Sequence, residues 1–366
     1  MRILIAPDKF KGTLTAREAA EALAAGWKRA DPRARLDLAP LADGGDGFLE
    51  ALVTACRGKI EEVRGVEDAL FRKRRVPLGW LDRGRTAVIE MARVCGLAQL
   101  EPQKRNPEAT TTFGLGRLIR HASGRGAQRI LLGLGGSATH DAGMGLAAGL
   151  GFRFLDRRGK VLEPVGENLG RVVRIDPAKR RSVRGVVAAV DVDNPLCGPR
   201  GAARVFAPQK GASAAMVRRL EAGTRVFAAL AGARAALEPG AGAAGGAAYG
   251  LLVFCGASMQ PGFGLVAEAL DLEARVRRAD LILTGEGCLD AQTTHGKAPE
   301  QLRRLARAAG KPVLAFAGAV RGAHAFDAAL PLMRPGVRRE DAETHAALML
   351  DAAAAEAAAV WEMASR

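Results

Sequence analysis

The segment Ile130 to Gly145, ILLGLGGSATHDAGMG, limits what this chain can fold into more than any other. A short apolar run (Ile130, Leu131, Leu132) passes straight into Gly133, Gly135, Gly136 and Ser137, and small residues at helical spacing (Ala142, Gly145, Leu146, Ala148) follow. This pattern predicts a buried strand, a tight loop and a helix, the repeating unit of an α/β fold. Glycines let the backbone turn successive N–H groups toward a ligand, and a helix start adds partial positive charge. Gly135, Gly136 and Ser137 are therefore expected to cradle an anion, with Ser137, Thr139, His140 and Asp141 at the mouth of the loop. The plain alternative is a connection that binds nothing. A third reading comes from Gly133-x-Gly135-x-x-Ala138, which matches a dinucleotide fingerprint, with Asp156 after the next strand (Phe152 to Leu155) in the place of a ribose-binding acid. On that window the chain would be an NAD(P)-dependent hydroxy-acid oxidoreductase.

The same grammar recurs along the chain. Met1 to Ala6 reads as a strand that ends in Pro7-Asp8-Lys9-Phe10-Lys11-Gly12, and Thr15 with Glu18 has capping-box spacing for the helix that follows. Asp8, Lys9 and Lys11 could hold phosphate and metal. Leu36 to Leu41 ends in Asp43-Gly44-Gly45-Asp46, where the carboxylates suit Mg²⁺, substrate hydroxyls or simple helix capping. Gly185 to Val190 ends in Asp191-Val192-Asp193-Asn194, an acidic pair fit for a metal or a general base. Lys210 sits in a similar loop before a helix from Ser213. Asp280 to Leu283 ends in Thr284 to Asp290, carrying Glu286 and Asp290, and Lys297 lies beyond. Gly240 to Gly250 has the composition of a flexible linker, but the apolar continuation Tyr249 to Phe254 argues for a tightly packed helix start or a second close backbone approach. Glu90, inside an apolar strand, is either a surface residue or a buried partner for an Arg. In open α/β sheets, ligands sit outside the carboxyl ends of the strands, so these loops point to shared work. A dehydrogenase needs one such loop; a small-molecule phosphotransferase needs several.

Composition narrows the class. A hydrophobic fraction of 48% over 366 residues is ample for two α/β domains. No apolar run is long enough to span a bilayer, and the start MRILIAPD lacks the form of a secretion signal, so a cytoplasmic enzyme is expected. Five scattered cysteines without a C-x-x-C pair suit reduced thiols. The net charge of +15 invites a nucleic-acid reading, but the Arg residues are interleaved with Ala over helix faces without stacking aromatics. Only 11 of the 54 basic residues are Lys, which draws attention to Lys9, Lys11, Lys210 and Lys297 in Gly-rich surroundings.

Taken together, IAPDKFKGTLTA, PLADGGDG, LGLGGSATHDAGMG, DVDNPLCGPRGAARVFAPQKGA and LTGEGCLDAQTTHGKAP resemble the bacterial type I glycerate kinase family, from about Met1 to about Gly318. The resemblance implies two α/β domains with mainly parallel sheets, one inserted into the other, with an active site in the cleft between them. The expected division is 1–102 plus 271–366, with 103–270 inserted. It also implies ATP and Mg²⁺ acting on D-glycerate, giving 2-phosphoglycerate with 3-phosphoglycerate as the alternative, and a homodimer stays open. On this reading Asp191 accepts or orients the hydroxyl proton, and Asp193 or Asp8 helps hold Mg²⁺. Lys9, Lys11 and Lys297 offset phosphoryl charge, and Gly44, Gly45, Asn194, Lys210, Glu286 and Asp290 complete the binding loops. The sequence departs from the family pattern at His140 (usually Asn), Ala142 (usually Gly) and Cys288 (usually Arg).

Overall fold

The computed structural model of the protein describes residues 1–177, 182–290, 298–322, 324–333 and 338–364. The chain divides into two compact units, 1–43 with 263–366, and 44–262. The boundaries therefore fall after Asp43 and Gly262, not near 102 and 270. The reason is strand pairing. Lys59–Glu67, Lys73–Leu81 and Thr86–Glu90 form an antiparallel run, and its last strand pairs in parallel with Arg129–Gly133 (Val88 beside Leu131), which ties residues 59–90 to the second unit.

In the first unit a parallel sheet runs in the order Ala328–Pro331, Val313–Val320, Leu281–Leu289, Arg2–Ile5, Arg35–Leu38. Strands covered on both faces read as continuous apolar runs, and Ile3, Leu4 and Ile5 are all fully buried. The helix Ala16–Ala30 lays Leu23 and Trp27 into the core beside Ile3, Ile5, Leu283 and Phe316. Each such large apolar side chain contributes roughly 1.5–3 kcal/mol by leaving water. Thr15 and Glu18 form the expected capping box, with the Glu18 backbone N–H donating to Thr15 Oγ1 at 3.2 Å and Thr15 N–H to Glu18 at 2.8 Å.

In the second unit the order is Ser258–Gln260, Val186–Ala189, Arg129–Gly133, Thr86–Glu90, Lys73–Leu81, Lys59–Glu67. The first four strands are mutually parallel and the last two antiparallel. Both units are thus α/β with mostly parallel sheets. The Gly240 to Gly250 stretch is no linker: Gly143 and Gly250 pack backbone to backbone, such that a Cβ on Gly250 would lie 2.6 Å from Gly143 Cα. Among the described residues no helix is long and apolar enough to cross a membrane.

Candidate active site

The first unit gathers carboxylates at the carboxyl ends of its strands. Asp8 follows Arg2–Ile5 and is held by its own backbone, whose N–H donates to the Gly285 carbonyl at 2.8 Å. Its side chain is buried, and one carboxylate oxygen accepts the Lys9 N–H at 2.7 Å. Burial raises the Asp8 carboxyl to about 7, opposed by Lys9 and reinforced by the nearby charges of Asp43 and Glu286. Lys9 Nζ forms an ion pair with Asp43 Oδ1 at 3.3 Å. Glu286 does not lie in a loop as expected. The strand Leu281–Leu289 runs on past Leu283 because Glu286 pairs with Ala317 and Cys288 with Ala319, and Glu286 is buried within it. Lys11 is exposed, and Asp290 follows the strand end. Lys297, with Gln292, Thr293 and His295, lies outside the described residues.

The second unit carries the central loop, and here the structure corrects several expectations. The helix after the strand Arg129–Gly133 starts only at Met144. The glycines of the loop are used for close approach to the chain's own backbone: a Cβ on Gly135 would lie 2.4 Å from Gly45 Cα, and one on Gly133 would lie 2.7 Å from the Gly44 carbonyl. Gly135 N–H donates to that same carbonyl at 3.2 Å. Gly44 and Gly45 therefore serve first as the surface against which the loop packs. Two of the fingerprint's glycines are taken up by this contact, and Asp156 sits in an exposed turn, accepting the N–H groups of Arg158 and Lys160 at 2.9 Å each. The strand before it, Arg153–Leu155, belongs to a separate antiparallel pair with Arg174–Asp176. A dinucleotide site needs glycines facing pyrophosphate and an acid on the neighbouring parallel strand, so the oxidoreductase reading has lost its support.

Nor do the polar residues after Ser137 line a mouth. Asp141 is fully buried and accepts hydrogen bonds from the Thr112 N–H (2.7 Å), Thr112 Oγ1 (2.8 Å), Gly143 N–H (3.0 Å) and Gly145 N–H (3.1 Å). Its carboxylate joins the starts of two helices, Phe113–Gly124 and Met144–Gly149. His140 is likewise buried, with Nε2 at 3.2 Å from Thr224 Oγ1. Burial, then the charge of Lys210, depress its pKa to about 3, so it stays neutral. Lys210, expected as a ligand contact, is 2% exposed and donates to Ser137 Oγ at 2.8 Å and to the Thr139 carbonyl at 2.7 Å.

The acidic pair separates clearly. Asp191 Oδ1 accepts the Gly262 N–H at 2.8 Å, and a Cβ on Gly44 would lie 2.9 Å from Asp191 Oδ2, so that carboxylate is packed against the Gly44 turn. Asp193 is largely exposed and paired with Arg200, which holds its pKa below the ordinary value. Asn194 Nδ2 donates to the Arg200 carbonyl at 2.7 Å and ties the same loop shut. Asp193, expected as a metal ligand, thus already has a counter-charge, and Asn194 has a structural partner.

Glu90 is the polar residue whose job the sequence left open. It is buried, accepts the N–H groups of Gly47 and Leu49 at 3.1 Å each, and lies 3.4 Å from Arg93. It caps the helix Phe48–Ala55, whose own N-cap Gly47 has no side chain to do so. An acid inside an apolar strand immediately before a helix, with a Gly at a distant N-cap, is the signal that could have found it. A groove of about 740 Å³ at the end of the helix Ala214–Ala231, lined by Gly232, Arg234, Glu238, Leu252 and Met259, holds none of the candidate residues.

Residues 3–362 match the model of the glycerate kinase family. The chain is 42% identical to a glycerate kinase of Bacillus subtilis, over 100% of this chain and 98% of that protein. It is 39% identical to a glycerate 2-kinase of Escherichia coli K12, over 87% of this chain and 86% of that one. A crystal structure of a candidate glycerate kinase 2 from Salmonella typhimurium LT2 superposes with a TM-score of 0.87 at 38% identity, covering 100% of this chain and 99% of the other.

Proposed function

The chain belongs to the glycerate kinase family, and from that premise we propose that it transfers the γ-phosphoryl group of ATP to a hydroxyl of D-glycerate. The observation that carries this reading is the match to the Bacillus subtilis glycerate kinase over the whole chain. The name of the Escherichia coli relative, glycerate 2-kinase, favours 2-phosphoglycerate as the product.

The side chains support a division of labour. Asp191, fixed by the Gly262 N–H, aligns the acceptor hydroxyl and takes its proton. Lys9, paired with Asp43, offsets charge on the transferring group, with Lys11 and Lys297 as further cations. The surroundings of Asp8 fit a hard cation: the charges of the Asp43 and Glu286 carboxylates reach it, and a bound cation would offset the burial that, as its largest cause, raises the Asp8 carboxyl to about 7. Among the described residues no three His, Cys, Asp or Glu side chains form a metal cage. Mg²⁺ needs only one or two carboxylates when substrate phosphates are also present. We assign Asp8 rather than Asp193 to hold Mg²⁺, which when bound would neutralise charge on the phosphate oxygens.

The test is a screen for ADP release over small hydroxy acids, followed by phosphorus NMR of the product. Release with D-glycerate and a phosphomonoester at position 2 is expected. No ADP with glycerate, together with NAD(P)H turnover on a hydroxy acid, would overturn the assignment.

A further inference from the structure

Lys210 closes a single turn, Pro208–Lys210, and the following Gly211 packs so tightly on Arg105 that a Cβ there would lie 2.4 Å from the Arg105 carbonyl. The lysine side chain is driven inward beneath the Gly135 to Thr139 loop, where it donates to Ser137 Oγ and the Thr139 carbonyl. Among the described residues no carboxylate forms an ion pair with it. The titratable groups around it are the buried thiol of Cys95, neutral His140, and Asp141, whose carboxylate already accepts four hydrogen bonds. A charged ammonium withdrawn from water without an ion partner is costly, so its place calls for a reason.

The chemistry of the contact supplies one. An ammonium only donates, so Ser137 Oγ must accept, and its own O–H hydrogen is left to point elsewhere. Among the described residues that hydroxyl has no other hydrogen-bond partner. We infer that Lys210 is a positioning residue that acts on the reactants through Ser137, holding its hydroxyl as an obligate donor to an oxyanion, the glycerate carboxylate or a nucleotide phosphate. This rests on the kinase reading above. Burial lowers the Lys210 pKa to about 8, with the nearby Cys95 and Asp141 groups opposing. Below that pH the lysine enforces the donor orientation; above it the neutral amine can accept the Ser137 hydrogen and the aim is lost.

The test is a cycle of Ser137→Ala, Lys210→Met and the double variant in the full chain, with KM measured separately for D-glycerate and ATP from ADP release. Each single change should raise the same KM by on the order of ten- to a hundredfold, the loss of one hydrogen bond to a charged group. The double variant should be no worse than Ser137→Ala, and Ser137→Thr should recover most of the loss. Whichever KM moves identifies the oxyanion. Additive losses in the double variant, or unchanged KM values in Ser137→Ala, would overturn the inference. Should Lys210→Met not fold, the wild-type KM must rise with pH through about 8 while that of Ser137→Ala stays flat; a flat wild-type profile overturns it. If the wild type releases no ADP, the kinase reading fails by itself. Calorimetry with inorganic phosphate and with D-glycerate then decides: weaker binding by Ser137→Ala supports the donor role, and equal or absent binding sinks it.

Discussion

The carboxylate of Glu90 accepts the backbone N–H of Leu49 at 3.1 Å, so a strand residue caps a helix that began 42 positions earlier in the chain, at Phe48. Burial raises this carboxyl from an ordinary 4.5 to about 7, the Leu49 N–H and Arg93 opposing, Glu50 and Asp46 adding to the rise. The folded state therefore binds more protons than the unfolded one between those values. The contribution to stability is complete below about pH 4.5 and is lost as pH rises through about 7, in total on the order of 3 kcal/mol. Glu90→Gln keeps an acceptor for Leu49 and removes the titration. Urea midpoints of the variant should fall less steeply between pH 5 and 7 than those of the wild type. Identical slopes would show that Glu90 titrates normally.

Asp191→Asn keeps the acceptor for Gly262 and removes the base. The expected result is a drop in kcat on the order of 10²–10⁴ with little change in the KM for glycerate. Near-normal turnover would take Asp191 out of the chemistry.

Asp193 and Asp8 differ in surroundings, one exposed and paired with Arg200, the other buried beside Lys9 with the charges of Asp43 and Glu286 nearby. Asp193→Asn should leave the Mg²⁺ dependence of the rate unchanged. Asp8→Asn should raise the Mg²⁺ needed for half-maximal rate by at least about tenfold, the loss that even an outer-sphere partner can cause. The reverse pattern in Mg²⁺ titrations would exchange the two roles.

Gly135→Ala forces a methyl group to within 2.4 Å of Gly45 Cα, a backbone atom that cannot swing aside. Overpacking of this kind costs about 1–3 kcal/mol, so the thermal midpoint should fall by several degrees. An unchanged midpoint would mean that the two loops are not in contact in solution.

What the residues settled by themselves was local. Short apolar runs ending in polar or Gly-rich loops predicted strands, the Thr15 and Glu18 pair predicted a helix start, and five ordered loop motifs carried the family resemblance, because periodicity, capping and turn chemistry act within a few positions. Tertiary structure decided which polar residue in each motif remains available for chemistry. Asp141 and His140 stand within four positions of Ser137 in the sequence, yet each is spent on a partner inside the second unit, whereas Lys210, from a distant motif, reaches Ser137 itself. The glycines that suggested a phosphate cradle were selected at least in part by Gly44 and Gly45, some ninety residues away. The boundary after Asp43 followed from one parallel pairing, Thr86–Glu90 with Arg129–Gly133. Burial, charge pairing and strand partnership are properties of what lies opposite a residue, and that neighbour is chosen only when distant segments pack.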